Sequence, residues 1–267
     1  MYTLKQGDCL ELMKDIEDES VDLILCDLPY GTSACKWDSV IPFEPMWEQY
    51  KRIIKPMGAI VLFGSEPFSS ALRMSNLDMY KYDWKWEKPH GSNSLNFKYQ
   101  PAKVHEDIMV FGKSATSYSK KGNMFYNPQM DKGTPYHQKA GEEKLLSSNV
   151  RTKFKTLDKQ NEGTRYPRSI IKFALDKDKL HPTQKPVALL EYLIKTYTDE
   201  NALVLDNCAG SMSTVIASIH TNRNCVAIEK DENYFKTGCE RVKNEMQNCG
   251  GYLCHDLKIE SEKDMVD

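Results

Sequence analysis

The run Leu203-Val204-Leu205-Asp206 ends in an acid, passes through the small-residue loop Asn207-Cys208-Ala209-Gly210-Ser211-Met212, and enters an apolar helix at Ser213. A strand that stops on a carboxylate and turns through small residues into a helix is where doubly wound sheets place nucleotide-like cofactors. The loop lacks the G-x-G-x-x-G pattern, which disfavours a dinucleotide. The next apolar strand, Asn224–Glu229, ends in an acid 23 residues after Asp206. An acid there is suited to accepting hydrogen bonds from ribose hydroxyls.

The rest of the chain alternates strand-length apolar runs with helical spacing. Leu10, Met13 and Ile16 predict a first helix, 21–26 a strand, and Phe43, Met46, Trp47, Tyr50, Ile53 and Ile54 a second helix. After Pro56-Met57-Gly58 comes a strand at 59–63, then a helix near 67–76 and strands near 82–86 and 108–111. The second half reads as a helix entered at Pro186, strand 203–206, helix 213–220, strand 225–229 and helix 231–246. Strands alternating with helices predict an α/β fold built on a doubly wound, mostly parallel sheet.

The strand at 21–26 runs into Asp27-Leu28-Pro29-Tyr30. A carboxylate, a carbonyl before proline and an aromatic face are what chemistry on an exocyclic amino group needs. The amino nitrogen of adenine or cytosine is conjugated with its ring and is a poor nucleophile. Asp27 and the Leu28 carbonyl could each accept one of its N–H bonds and draw the lone pair out of conjugation. Pro29 fixes its own φ and biases Leu28 toward an extended conformation. Tyr30 offers a face on which a base could stack, an interaction of roughly 1–3 kcal/mol. An isolated tetrapeptide of this kind also serves as a plain proline turn at a strand end.

Taken together these residues resemble the S-adenosylmethionine-dependent DNA amino-methyltransferases, in the permuted beta-group order with the catalytic motif ahead of the cofactor motif. Gly7-Asp8-Cys9-Leu10 is similar to the family's adenine-side segment, Asp27-Leu28-Pro29-Tyr30 to its catalytic D-P-P-Y, and Leu62-Phe63-Gly64-Ser65 to the strand end and turn that follow. Trp86-Glu87-Lys88 and Lys103-Val104-His105-Glu106 resemble two core segments. His181-Pro182-Thr183-Gln184-Lys185-Pro186 matches the H-P-T-x-K-P motif before the cofactor strand, and Arg165-Tyr166-Pro167 lies upstream of it. The chain departs from the pattern twice. Leu28 stands where proline is usual, and Met212 stands where the loop G-S-G-S-T has its second glycine.

The resemblance implies a class I methyltransferase fold in four parts. These are a catalytic half at 1–112, a target-recognition insertion at 113–164, a cofactor half at 165–248 and a tail at 249–267. It implies methyl transfer from S-adenosylmethionine to N6 of an adenine flipped out of DNA, as in restriction-modification systems, with no metal. Asp27, Leu28, Pro29 and Tyr30 would be catalytic, with Asp27 also bordering the cofactor. Asp8 and Cys9 would border the cofactor's adenine, Thr183 and Lys185 its methionine end. Asp206, Asn207, Cys208, Gly210, Ser213 and Thr214 would shape its loop, and Glu229 would take the ribose. Met212 is expected to pack on the outer side of that loop. N4-cytosine methylation uses the same amine chemistry and is the nearest alternative. A non-catalytic DNA-binding subunit is a more distant one. No proline is followed by cysteine, so the Pro-Cys nucleophile of ring-carbon methylation is absent.

Charge distribution supports a nucleic-acid partner. From Lys113 to Lys185 there are 16 Lys and Arg against seven acids, while the whole chain carries −2. A basic segment set in an acidic remainder is a footprint of nucleic-acid binding. Tyr126-Asn127-Pro128-Gln129 within it carries amide side chains of the kind that read adenine edges. The 267 residues are 40% hydrophobic, enough for one large domain with an insertion. No run approaches 18 apolar residues, and the start carries no signal-peptide core, so no membrane association and a cytoplasmic location are expected. The eight cysteines form no C-x-x-C pair and read as reduced structural thiols. A homodimer is compatible with all of this.

Overall fold

The computed structural model describes residues 1–32, 38–118, 121–141, 144–147, 150–154, 157–177, 184–249 and 256–261. The strands in chain order begin with β1 (Tyr2–Gln6), β2 (Val21–Cys26), β3 (Ile54–Gly64), β4 (Tyr80–Ser92) and β5 (Lys103–Phe111). Six short strands follow: β6 (Asp131–Lys132), β7 (Tyr136–Gln138), β8 (Lys144–Ser147), β9 (Val150–Phe154), β10 (Lys159–Asn161) and β11 (Thr164–Arg165). The last four are β12 (Ile170–Lys172), β13 (Leu203–Asp206), β14 (Asn224–Glu229) and β15 (Leu257–Glu260). The helices are α1 (Cys9–Leu12), α2 (Phe43–Ile53), α3 (Phe68–Ser75), α4 (Val187–Tyr197), α5 (Ser213–His220) and α6 (Glu232–Asn248).

Among the described residues, nine strands make one sheet in the order β12-β4-β5-β3-β2-β13-β14-β1-β15. Within it only β5 opposes its neighbours; every other pairing is parallel. The apolar runs of β2 and β3 explain why. Successive side chains leave a strand on opposite faces, so a strand buried on both sides is apolar throughout. Leu23, Leu25, Val61 and Phe63 enter the core under α4, α5 and α6. Ile24, Cys26, Ile60 and Leu62 enter the other, under α1, α2 and α3. The helices meet these faces with apolar stripes, Met46, Trp47, Tyr50 and Ile53 on α2, as its spacing predicted, and Leu190, Ile194 and Tyr197 on α4.

Several boundaries differ from the sequence reading. β3 starts at Ile54, five residues early, and absorbs the Pro56-Met57-Gly58 segment through a register shift between Val21 and Leu23. Gly58 permits it, because a Cβ there would lie 2.8 Å from the Asp22 carbonyl oxygen. Strands β1, β12 and β15 had no apolar run long enough to announce them. The expected tail at 249–267 is corrected by β15, which pairs in parallel with β1.

The insertion expected at 113–164 is also shifted, since the chain divides into one compact unit of residues 1–127 with 169–267 and a second of Pro128–Arg168. Residues 113–127 belong to the first unit because Met124 is buried in its core, Phe125 N–H donates to the Met57 carbonyl and Asn127 N–H to that of Thr196. Among its described residues the second unit holds three antiparallel pairs, β7 with β10, β6 with β11 and β8 with β9. Within it the Arg165 guanidinium lies 4.7 Å from the Tyr136 ring centre and donates to Asn161 Oδ1 at 2.7 Å. Among the described residues no helix is long and apolar enough to cross a membrane.

Candidate active site

Four adjacent parallel strands, β2, β13, β14 and β1, end on the same edge of the sheet. Asp27 follows β2, Asp206 closes β13, Glu229 closes β14, and Asp8 lies just beyond β1. Their carboxylates and the intervening loops line one cavity of about 1000 Å³. The sequence residues Asp8, Cys9, Asp27, Leu28, Pro29, Tyr30, Lys185, Asp206, Asn207, Cys208, Gly210, Ser213, Thr214 and Glu229 all border it. Thr183 lies outside the described residues.

At the β2 end, the Asp27 carboxylate accepts a hydrogen bond from the Tyr30 hydroxyl at 2.7 Å and one from Lys185 Nζ at 2.5 Å. Lys185 Nζ also lies 3.3 Å from Glu106 Oε2, and Lys88 Nζ donates to Glu106 Oε1 at 3.0 Å. Lys185 is thus a buried cation shared between two carboxylates. Burial lifts the Asp27 carboxyl above its ordinary pKa, with Lys185 opposing and Glu106 reinforcing the rise. Burial would also lift Glu106, but Lys185 and Lys88 outweigh it and hold that group below the usual range. For Lys185, burial disfavours the charge, yet Asp27 and Glu106 keep the ammonium protonated. Phe68 stacks on the Tyr30 ring, with centres 5.0 Å apart and planes 26° from parallel. The Leu28 side chain is buried in the core under α2 and α3, so the departure from proline is absorbed by packing.

The loop after β13 is held by its own acids. Asp206 accepts from the Thr214 hydroxyl at 2.6 Å and from Cys208 N–H at 3.1 Å, and burial pushes its carboxyl up to about 6. Glu229 accepts from Gly210 N–H at 2.7 Å and from Asp231 N–H at 2.8 Å, which fixes its orientation at the β14 end. Asn207 Oδ1 accepts from the Tyr50 hydroxyl at 2.6 Å. Arg241 of α6 donates to Ser213 Oγ and to the Ser211 carbonyl, each at 2.8 Å. Asp8 caps α1 by accepting from Leu10 N–H at 2.9 Å and pairs with Lys230 at 2.9 Å. Burial raises the Cys26 thiol to about 12, and the Cys9 and Cys208 thiols, bonded to neighbouring thiols and buried, also lie above their ordinary value. All three remain protonated near neutrality, which suits structural roles.

Met212 packs away from the cavity, as expected. It adopts a left-handed conformation at φ +61° as the N-cap of α5, and its side chain is fully buried against Gly238 of α6 rather than lining the cavity. A methionine is tolerated beside the loop because α6 offers it a glycine-sized hollow.

Against known proteins, a family model described as DNA methylase matches residues 21–240. The chain belongs to the DNA methylase family. It is 28% identical over 254 residues to the DNA adenine methyltransferase YhdJ of Escherichia coli, covering 90% of this chain and 82% of that protein. It is 26% identical over 252 residues to the type II methyltransferase M.HpaI of Haemophilus parainfluenzae, covering 90% and 73%. Among solved structures, the M1.HpyAVI–SAM complex superposes with a TM-score of 0.59 at 24% identity, covering 90% of this chain and 100% of that one. The cytosine-N4-specific PvuII DNA methyltransferase superposes with a TM-score of 0.64 at 14% identity, covering 98% and 97%. These likenesses establish the class I methyltransferase fold for this methylase.

Two features of the methylase site escaped the sequence. Glu106 carried only a segment resemblance, and nothing in the sequence tied it to Lys185 or Asp27. Arg241 stands in the middle of an amphipathic helix, where an arginine is ordinarily a solvent-facing residue.

Proposed function

We propose that this chain transfers the methyl group of S-adenosylmethionine to N6 of an adenine flipped out of DNA. The observation that carries this reading is the shared cavity, in which Asp27 and Tyr30 stand beside the Asp206–Gly210 loop and Glu229. An amine-orienting group and a nucleoside-holding set border one space, as methyl transfer between two bound substrates requires. The residues fit the cofactor, for Glu229 retains acceptor capacity beyond its two backbone bonds and the loop after β13 keeps the cavity open at Gly210.

S-adenosylmethionine supplies a methyl group activated on a sulfonium. The protein's share is alignment and electrostatics, which together account for large parts of many barriers. Asp27 and the Leu28 carbonyl accept the two amine N–H bonds and turn the nitrogen lone pair toward the methyl. Asp27 already holds Tyr30 and Lys185, but a carboxylate has about four lone-pair sites and accommodates the amine as well. The transfer would replace the S–C bond of S-adenosylmethionine with a C–N bond, and the proton lost by the amine nitrogen would be released to solvent. Tyr30, backed by Phe68, supports the flipped base. Flipping is needed because the target amine lies inside the stack.

The exposed lysines and arginines of Pro128–Arg168 serve as phosphate contacts. Acting on DNA, the enzyme works in the cytoplasm. Adenine is favoured over cytosine because the motif begins with Asp27, the residue that the adenine enzymes of this family favour, where serine is commoner in the cytosine enzymes. YhdJ, a relative over most of the chain, is named as an adenine enzyme. The test is incubation with methyl-labelled S-adenosylmethionine and unmethylated DNA, followed by nucleoside separation. Label in N6-methyldeoxyadenosine is the expected result; label in N4-methyldeoxycytidine would assign the other base.

A further inference from the structure

The connection between β4 and β5 forms a tip at residues 93–102 whose shape owes little to its large side chains. Asn93 adopts φ +67° and its Oδ1 accepts from Lys103 N–H at 3.0 Å. Main-chain bonds from Asn96 to Asn93, Tyr99 to Asn96 and Gln100 to Asn96 then close the turn at 2.8–3.0 Å. Of its three large apolar side chains only Phe97 is anchored, its ring leaning on Gly91, where a Cβ would come within 3.3 Å. Leu95 and Tyr99 are 93% and 86% exposed.

A single exposed leucine needs no explanation. Here two large apolar side chains project within five residues, from a tip whose fold does not require them. The tip also grows directly from the cavity rim, since His90, Gly91 and Ser92 line the cavity. Leu95 is three residues beyond Ser92, at most about 10 Å of chain. The stretch between Glu87 and Glu106 contains no acid, and besides Lys88, which pairs with Glu106, it carries Lys98, Lys103, His90 and His105, although the chain as a whole is net negative. Apolar groups framed by positive charge fit a duplex, whose phosphates meet the lysines and whose stacked interior receives the apolar side chains.

We propose that the β4–β5 tip is the wedge that enters DNA at the target base pair, with Leu95 and Tyr99 occupying the space the flipped base leaves and Lys98 and Lys103 contacting the flanking phosphates. The inference rests on the reading of the chain as a base-flipping DNA methyltransferase. It assigns the opening of the duplex to an element of the catalytic unit rather than to the basic Pro128–Arg168 unit.

The test uses the full chain and its Leu95→Ala/Tyr99→Ala variant on an oligonucleotide duplex carrying a site the wild-type enzyme methylates. The target base is either paired normally or placed opposite an abasic position, where flipping costs less because no pairing is lost. Opening a paired base costs a few kcal/mol, so the variant should lose about tenfold or more in kcat/KM on the paired duplex. It should stay within about threefold of wild type on the abasic duplex, where no base pair has to be broken. S-adenosylmethionine affinity and melting temperature should be unchanged. Equal loss on both duplexes, or no loss on either, overturns the wedge. Absence of wild-type methylation on any DNA would instead remove the parent reading, a result visible before the variant is made.

Discussion

Lys185 Nζ lies 2.5 Å from Asp27 Oδ2, joining a residue of the segment before α4 to the carboxylate at the end of β2. The resemblance implied that Lys185 would hold the cofactor's methionine end. The structure also pairs it with Asp27, the carboxylate proposed to meet the target amine, and it favours the ionised form of that group. Asp27 accepts an N–H bond most strongly as the carboxylate, and burial works against that form. Lys185 is the largest opposing influence.

Replacing Lys185 with methionine removes that influence while keeping most of the side-chain volume. The Asp27 carboxyl should then rise further, so the acid limb of the pH profile of kcat should move to higher pH. Turnover at neutral pH should fall by about tenfold or more, in the range of effects on positioned acid–base groups. A profile that keeps its wild-type acid limb would separate Lys185 from the charge state of Asp27.

Met212→Gly discriminates between the core and the cavity as the seat of this side chain. Removing a buried methionine leaves a void against Gly238, while glycine relieves the left-handed backbone. Setting a typical cavity cost against the relief predicts a net destabilisation of about 1–3 kcal/mol. Denaturant unfolding gives the loss, and calorimetric titration should find S-adenosylmethionine affinity unchanged. Tighter binding at constant stability would place the side chain in the cavity.

The second compact unit should carry much of the salt dependence of DNA binding. Lys132, Lys139, Lys159 and Arg168 are exposed. Neutralising all four should reduce the slope of log affinity against log salt by about 0.9 for each phosphate that is no longer neutralised. Cofactor affinity should not follow. An unaltered slope would mean that these charges face solvent in the complex.

His220 joins α4, α5 and α6, with its two ring nitrogens 2.7 Å from Glu191 and 2.8 Å from Glu245. Partial burial disfavours its charge, but hydrogen bonds to Glu245 and Glu191 outweigh that and raise its pKa. A raised histidine stabilises the fold below its unfolded value of about 6.5, and the contribution is lost as pH rises through the folded value. Wild type should therefore lose more melting temperature between pH 6 and pH 9 than His220→Gln. The difference should stay within about 1 kcal/mol, as for other partly exposed ion pairs. Identical pH dependence in the two proteins would remove the ion triad from the stability balance.

Much of this fold was legible because strand segments buried on both faces are apolar throughout, as Leu23–Cys26 of β2, Ala59–Phe63 of β3 and Leu203–Leu205 of β13 are. β1 and β15 were not, since Tyr2–Gln6 and Leu257–Glu260 alternate with polar residues and are too short to stand out. The strand-end acids Asp27, Asp206 and Glu229 were readable because each closes an apolar run. The charge network behind Asp27 was not, because Glu106 and Lys185 lie 79 residues apart and meet only through the sheet order. Met212 looked anomalous for a related reason: its partner Gly238 lies on another helix.

The proposed function gives Asp27 its main role at the target amine and only a border on the cofactor, and one paired measurement on Asp27→Ala tests that assignment. Single-turnover methyl transfer to saturating DNA should fall by about 10²–10⁴-fold, the usual scale for a positioned catalytic side chain. Calorimetric affinity for S-adenosylmethionine should stay within about threefold of wild type, less than 1 kcal/mol. Near-normal transfer by the variant, or a loss of cofactor binding as large as the loss of rate, would contradict the account.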